Sequence, residues 1–471
     1  GYSDLGCYGS EIETPHLDRL AAGGIRFLNF TNCAKCETTR ATLMSGRYHT
    51  EVGIQRLKGC ITMPEVMREG GYHTMMVGKW HLGGSPMDRG FDRYFGFLNG
   101  ASNFFTGEST GGGTHFRLDH EKFKVPKKDF YCTDAFTDYA IRFLDDQRKN
   151  EKAKDKPFFL YVAYNAPHYP LQAWEKDVRK YIGKYMMGWD QLREQRLARM
   201  KKLGIVPADQ KLSTRPDVER FEDLSDKEKK HRDLMMATYA AMIDSVDQNV
   251  GRLINKIESL GQTENTLVLF LSDNGACPFQ RSKKKTVQQN LKPWDPASFW
   301  TYDQRWAFAC NTPWRKFKQN QHEGGISTPL IAYWPAGIQN PGRMENQRGH
   351  LVDLHATFRE LAGVAYPSEY KGQPVGPARG ISLAPLFQQK PRTEHKELFY
   401  YFNRKKTGLL QGEWKLVDSK ELYHLPTDRI ESNDLSKKHP ERFEGMKARW
   451  AELAEEYKVG NRGRKKNRKK K

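Results

Sequence analysis

At 471 residues, with 38% apolar and 12% aromatic side chains, the chain can bury a large core and hold one big domain with a smaller one beside it, a composition that excludes a disordered or fibrous protein. No apolar run reaches the length of a bilayer span, the longest being short stretches such as Thr266 to Leu271. The net charge of +20, from 77 Lys and Arg against 57 Asp and Glu, raises the concentration of polyanions near the surface.

In chain order, apolar runs alternate with amphipathic stretches, the pattern of an α/β domain with a largely parallel sheet. Ile25 to Phe30 and Thr74 to Val77 read as strands. A helix over Thr133 to Arg148 places Phe136, Ala140, Phe143 and Leu144 on one face, and the strand Phe158 to Tyr164 follows. Leu171 to His231 is a charged insert with Trp174, Tyr181, Tyr185, Met186, Met187 and Trp189, expected to sit over the binding crevice and select the ligand. From Asp233 to Leu260 the residues Tyr239, Ile243, Val246, Val250, Leu253 and Ile257 recur at alternating spacings of four and three, which predicts a helix with a core-facing stripe. Thr266 to Leu271 and Leu330 to Trp334 read as further strands.

Residues 1–365 therefore read as the main domain, and residues 366–385, rich in Pro and Gly from Tyr366 to Gly380, as a linker. Residues 386–459 read as a small subdomain, with a meander of Leu398 to Phe402, Leu409 to Gln411, Trp414 to Val417 and Glu421 to Leu425 before a helix near Pro440 to Tyr457. The basic tail, residues 460–471, is too polar and self-repelling to fold alone. Nucleic-acid binding is the alternative role for that tail, but no recognition module stands elsewhere in the chain.

Seven cysteines cannot all pair with one another. Cys33 and Cys36 form a Cys-x-x-Cys with no second pair at zinc spacing, and Cys7, Cys60, Cys132, Cys277 and Cys310 read as small buried hydrophobes with one unassignable disulfide possible. Lys79, His81, His168, Asp273 and Asn274 come after predicted strands, several of them directly. In an open α/β sheet that puts them in the crevice beyond the carboxyl ends of the strands.

The run Cys36-Glu37-Thr38-Thr39-Arg40 with Leu43, Gly46 and Arg47 resembles the signature of the type I, formylglycine-dependent sulfatases. Gly78-Lys79-Trp80-His81-Leu82-Gly83, Ala166-Pro167-His168, Ser272-Asp273-Asn274-Gly275, and Lys318 ahead of His322-Glu323-Gly324-Gly325 resemble the family's other active-site segments, in the family's order. The opening Gly1-Tyr2-Ser3-Asp4-Leu5-Gly6-Cys7-Tyr8-Gly9 and Thr14-Pro15-His16-Leu17-Asp18-Arg19-Leu20 match as well. Taken singly, each has a plainer reading: a helix start with a buried Cys, a solvated Lys, a turn at Asp-Asn-Gly.

The resemblance implies an alkaline-phosphatase-like fold, a mixed, largely parallel sheet flanked by helices, with a smaller C-terminal antiparallel α+β subdomain. It implies that a formylglycine-generating enzyme oxidises Cys36 to an aldehyde, whose hydrate forms a covalent sulfo-enzyme and then expels sulfate. Arg40 would orient the hydrate, Lys79 would neutralise the sulfate oxygens and His81 would take a proton during release. His168 and Lys318 would stabilise the sulfate and protonate the leaving oxygen, and His322 would touch substrate. Asp273 and Asn274 offer hard oxygen ligands for Ca2+, with Mg2+ possible. The implied substrate is a sulfated carbohydrate and the implied place of work is the periplasm or the cell exterior.

Two departures stand out. The family completes its metal site with two adjacent Asp on a strand that would precede Gly1, so a sheet lacking one inner strand, weak metal binding and little activity are expected of this chain. Thr38 stands where the family has Pro or a small residue, which bears on how efficiently Cys36 is converted. The competing readings are a phosphate or phosphonate ester hydrolase of the same fold, and a non-catalytic binder of sulfated glycans.

Overall fold

The computed structural model describes residues 1–109 and 112–459, and the basic tail of residues 460–471 lies outside them. The first predicted strand is interrupted at Asn29, whose side-chain amide donates to the Asn346 carbonyl over 2.7 Å. Strand β1 covers only Ile25–Phe27, and Phe30–Thr31 pairs separately with Gly349–His350.

The strands form two main sheets rather than one. β2 (His73–Lys79), β3 (Arg93–Phe97), β4 (Phe116–Leu118), β5 (Glu121–Lys122) and β6 (Phe158–Ala163) lie in the order β5-β4-β3-β2-β6. β3, β2 and β6 run parallel, with Val77 opposite both Phe95 and Val162. The Met-Met-Val run of β2 is buried on both faces, as a strand inside a parallel sheet must be. β7 (Val268–Leu271), β8 (Leu330–Tyr333) and β9 (Arg343–Glu345) join β1 in the order β9-β1-β8-β7.

β6 and β7 close their sheets on facing edges, and no other described strand pairs with either edge. A cavity of about 660 Å3 separates them. The sheet is divided at this point, as expected of one lacking an inner strand, and among the described residues the backbone groups along both edges lack ladder partners.

Helices cover both faces of this division. α4 (Asp226–Ser259) lines one wall of the cavity with Ile243, Val246, Val250, Leu253 and Ile257, the stripe read from the sequence. Leu354 and Phe358 of α5 (Val352–Leu361) line it from the other side, and α1 (Cys36–Ser45) contributes Arg40, Leu43 and Met44. α4 begins seven residues before the predicted start at Asp233, at a capping box in which the Ser225 hydroxyl donates to Glu228 over 2.6 Å and accepts from its backbone N–H. α2 (Cys132–Lys149) packs beside α4, and its expected face of Phe136, Ala140, Phe143 and Leu144 is buried.

The aromatic residues of the insert do not line a crevice. Tyr181, Tyr185 and Trp189 are fully buried, and Trp189 meets Phe221 at 5.2 Å and Trp306 at 5.5 Å between ring centroids. Their hydrophobic area is better used in the core than at a wet surface. α3 (Gly188–Lys202), which follows, sends the buried Arg196 to Asp4 over 2.7 Å and to Glu11 over 2.8 Å.

β10 (Glu397–Asn403), β11 (Lys406–Gln411), β12 (Trp414–Val417) and β13 (Glu421–His424) form an antiparallel meander in chain order, close to the predicted ranges. α6 (Pro440–Glu456) covers it, with Trp450 stacked on Phe399 at 5.6 Å. The meander is tied to the rest of the chain by the buried Lys415, whose ammonium lies 2.7 Å from Glu323 and 2.8 Å from Glu431. All seven cysteines are free thiols, so the possible disulfide is not formed. Among the described residues no helix is long and apolar enough to cross a membrane.

Candidate active site

Cys36 is the first residue of α1, and no side chain caps that helix start. Its free backbone N–H groups and the positive end of the helix dipole therefore favour an anion beside the Cys36 side chain. Thr39 spans the approach, donating from its hydroxyl to the Asp273 carbonyl over 2.7 Å and accepting from the Cys33 backbone N–H over 3.1 Å. Thr38 is buried and donates to the carbonyls of Cys33 and Lys35, over 3.0 and 2.9 Å. That bonding gives the unusual residue a local structural use.

Arg40, one turn into α1, joins three segments. Its Nη1 donates to the Lys79 carbonyl over 2.6 Å and to the Tyr161 hydroxyl over 3.3 Å, and its Nη2 lies 3.4 Å from Asp273 Oδ2. Lys79 ends β2 and is 1% exposed. Gly78 before it has φ +101°, and a Cβ there would come within 2.2 Å of the Ala163 carbonyl oxygen on β6. Only glycine lets the two strands carry Lys79 to this point. Lys318 completes the cluster from the opposite side, its Nζ 3.9 Å from the Cys36 sulfur.

These cations act on one another. Burial, helped by Arg40 and Lys318, pulls the Lys79 ammonium below its ordinary pKa. Burial also acts against Lys318, but Cys36, Cys277 and Asp273 more than offset it and raise that pKa. Burial works to raise the Asp273 pKa, yet Arg40, Lys79 and Lys318 hold the carboxylate below its usual range.

His81 has a left-handed φ of 57° and a buried Nδ1 with no hydrogen-bond partner. Gly100 leaves room for its ring, since a Cβ there would approach Nε2 to 2.4 Å. Burial and the charges of Lys79, Arg40 and Lys318 bring its pKa down to about 2, so the ring is neutral without a bound anion. His168 is likewise held well below its usual value, first by burial and then by Lys318 and Lys79. Its Nδ1 lies 2.8 Å from the Tyr169 carbonyl, which places the ring proton on Nδ1 and leaves Nε2 free to accept.

Asp273 and Asn274 follow β7 directly. The Asn274 Nδ2 donates to the Gly275 carbonyl over 2.9 Å, while its Oδ1 is buried without a partner. An ionised carboxylate beside an orphaned amide oxygen suits a hard cation, though two oxygens are fewer than calcium takes. Asp4 cannot complete the set, because it is occupied by Arg196 and by the Tyr239 hydroxyl, each at 2.7 Å. Cys36, Glu37 and His81 place possible ligand atoms within 4.8 Å of one another. Lys79, Arg40 and Lys318 surround that group, a field that favours an anion over a metal ion.

Seven of the nine candidate residues, Cys36, Arg40, Lys79, His81, His168, Lys318 and Asp273, thus act on one another directly or through their charges. Asn274 lines the same cavity as Arg40, Lys79, His168, Lys318 and Asp273. His322 is placed differently. It is 3% exposed and bonds through Nε2 to Glu421 of β13 over 2.7 Å, at the joint with the meander. Tyr161 and Thr39 escaped the sequence reading. Tyr161 is one apolar-looking position of a strand, and only the fold shows that its hydroxyl meets Arg40.

A helix-start thiol ringed by buried cations, one of them at the end of a parallel strand, makes a site built to bind a tetrahedral anion in a mixed α/β fold, and the fold is that of the alkaline-phosphatase-like sulfatases. Residues 1–364 match the family described as Sulfatase. The chain belongs to the sulfatase family and is a sulfatase enzyme, a hydrolase of sulfate esters. It is 30% identical to an arylsulfatase of Klebsiella aerogenes over 84% of this chain and 92% of that protein. It is 26% identical to the N-acetylgalactosamine-6-sulfatase of Canis lupus familiaris over 88% of this chain and 69% of that one. The crystal structure of Ps i-CgsB superimposes with a TM-score of 0.70 at 26% identity, covering 96% of this chain and 90% of the other.

Proposed function

We propose that the protein releases inorganic sulfate from a sulfated carbohydrate, using Cys36 after its oxidation to formylglycine by a formylglycine-generating enzyme. The observation that carries this reading is the convergence of Lys79, Arg40 and Lys318, all at most 5% exposed, on the side chain at position 36. Buried cations with fixed positions need no reorganisation as charge builds on the sulfate oxygens, which is where such a site lowers the barrier.

In its converted form residue 36 supplies the attacking oxygen, a stronger nucleophile at neutral pH than a hydroxyl side chain. Arg40 fixes the orientation of that residue through its bonds to Lys79 and Asp273. Lys79 and Lys318 hold the sulfate; the negative charge of the bound ester lets His168 take up a proton on Nε2, and His168 with Lys318 then delivers a proton to the departing alcohol oxygen. His81, neutral in the free site, accepts a proton as sulfate leaves. Asp273 and Asn274 would hold a divalent cation, Ca2+ or Mg2+, which adds positive charge over the sulfate oxygens. His322, expected to touch substrate, is 3% exposed and bonded to Glu421, and is read as holding the joint with the meander instead.

The similarity to an N-acetylgalactosamine-6-sulfatase and the charge of +20 support a sugar sulfate as substrate, and a substrate of that kind fits action in the periplasm or outside the cell. A phosphate or phosphonate hydrolase of the same fold is disfavoured by Cys at position 36 and by a donor set of two oxygens, since those enzymes hold two transition metals with several His and Asp. The test combines intact mass, which reads conversion of Cys36, with release of nitrophenol from its sulfate and phosphate esters and of sulfate from a panel of sulfated glycans. Converted protein that prefers the phosphate ester would overturn the reading.

A further inference from the structure

Beside His168 the chain builds a cationic and aromatic wall that the reaction at Cys36 does not use. The Tyr169 ring lies 4.2 Å from the His168 ring, and the Arg281 Nη1 donates to the Tyr169 hydroxyl over 2.8 Å. The same guanidinium sits 5.4 Å from the centre of the Tyr169 ring and 5.1 Å from that of Phe279. Lys283 lies over Phe299 at 4.8 Å, and Phe299 in turn is 6.1 Å from Tyr169. This wall is continuous with the reaction centre, because Tyr169 and Cys277 both feel the charges of Arg281, Lys318 and Cys36.

The wall is held in place from behind. The Arg281 backbone N–H donates to the Thr301 hydroxyl over 2.9 Å, that of Lys283 to the Phe299 carbonyl over 3.1 Å, and that of Leu171 to the Trp300 carbonyl over 2.8 Å. One stretch, Phe299 to Thr301, therefore anchors both the segment carrying Arg281 and the segment carrying Tyr169. Among the described residues neither Arg281 nor Lys283 pairs with a carboxylate, unlike Arg40, which pairs with Asp273, and Lys35, which pairs with Glu37. An arginine fixed over two rings presents its donors in a set direction, ready for a planar or tetrahedral anion.

We propose that Arg281, with Tyr169, Phe279 and Lys283, forms a subsite for a second anionic group of the substrate, so that the enzyme favours saccharides with a sulfate or carboxylate close to the sulfate being removed. This rests on the sulfatase reading above and deepens it. The rings supply flat apolar faces for a sugar, and the guanidinium supplies the charge-assisted bond that a singly charged ester would leave unused.

The experiment compares wild type with Arg281→Gln and Arg281→Lys on three probes: 4-nitrophenyl sulfate, a disulfated disaccharide, and a disaccharide with one sulfate and one uronate carboxylate. Arg281 is exposed, so the expected effect is modest. Arg281→Gln should raise KM for the disulfated disaccharide about threefold to tenfold more than KM for 4-nitrophenyl sulfate, with kcat for the two substrates moving together, and Arg281→Lys should recover part of the loss. The difference should shrink at high salt. The carboxylate probe shows whether the subsite takes both anions or sulfate alone. Equal KM changes on the single and double anions would overturn the proposal while leaving sulfatase activity standing. Calorimetric binding of the two disaccharides to protein kept unconverted at Cys36 reads the same subsite without turnover, and equal affinity in wild type and Arg281→Gln would overturn it there too.

Discussion

The Lys318 ammonium lies 3.9 Å from the Cys36 sulfur, both groups buried, and Lys79 reaches the same place from the end of β2. Burial first, with Arg40 and Lys318 adding to it, lowers the Lys79 pKa, while the negative charge of Cys36, Cys277 and Asp273 raises that of Lys318, so the pair calls for an anion between them. Removing either cation by Lys318→Ala or Lys79→Ala should lower kcat/KM on 4-nitrophenyl sulfate by about two to three orders of magnitude, the scale seen when a fixed charge or donor leaves a developing anion. Steady-state kinetics on protein shown by mass to be converted at residue 36 is the check. A loss of less than tenfold in both would remove the cations from the chemistry.

Arg40 has a structural task as well as an electrostatic one, because it joins α1, β2, β6 and the loop after β7. Arg40→Leu should lower activity and also reduce stability by about 1–3 kcal/mol, since the Asp273 carboxylate and the Lys79 carbonyl lose a donor in a site of limited water access. Asp273 is 32% exposed at its side chain, which keeps the cost below that of a fully buried broken pair. A double-mutant cycle of Arg40→Leu with Asp273→Asn should recover part of the stability and none of the activity, as read by denaturant unfolding and sulfate release.

Much of this site was legible because the chemistry sits where chain geometry is simple. Lys79 ends a Met-Met-Val strand, Asp273 follows Val-Leu-Phe-Leu, and Cys36 opens a helix, so period and position together place them in one crevice. The aromatic residues of the insert misled for a physical reason. Trp189 and Tyr185 look equally suited to a sugar face or to a core, and only their contacts with Trp306 and Phe221 decide for the core. A missing inner strand is expected, but that β6 and β7 would flank the gap has no signal in either strand, because an edge and a centre of an apolar strand read alike. Arg281 lies in a plain polar loop, and nothing but tertiary structure brings it over Tyr169.

The joint between the meander and the catalytic region rests on one lysine shared by two carboxylates. Lys415 holds Glu323, whose other oxygen accepts from Arg429 over 3.1 Å, and holds Glu431 as well. Burial works to raise the pKa of Glu323, but Lys415 and Arg429 more than offset it, whereas burial prevails at Glu431 and raises its pKa. The two acids therefore differ in worth. Glu431→Gln keeps a neutral acceptor beside Lys415 and should cost under about 1 kcal/mol, while Lys415→Met leaves carboxylates buried without their cation and should cost about 3–5 kcal/mol. Chemical denaturation of both variants tests this order, and equal destabilisation would contradict it.

His350 gives the stability of the protein a pH dependence separate from the reaction. It is fully buried, and its Nδ1 accepts the Val352 backbone N–H over 3.3 Å, an arrangement that needs the neutral ring. Burial brings its pKa down to about 3, with Asp353 opposing and His395 and His49 assisting. A histidine whose native pKa is depressed costs stability once the unfolded chain can take up a proton and the native protein cannot. The full stability is therefore present above about pH 6.5, the unfolded value, and is lost as pH falls toward about 3, at about 1.4 kcal/mol per pH unit for this one group. Unfolding free energies measured between pH 7 and pH 4 should fall more steeply than this one group requires, because His81, His168 and His355 are depressed as well. His350→Gln should be less stable at pH 7, because it cannot repeat the packing of the ring, yet lose less on acidification than wild type by about that slope. A variant with an unchanged slope would show that the ring does not stay neutral in the folded protein.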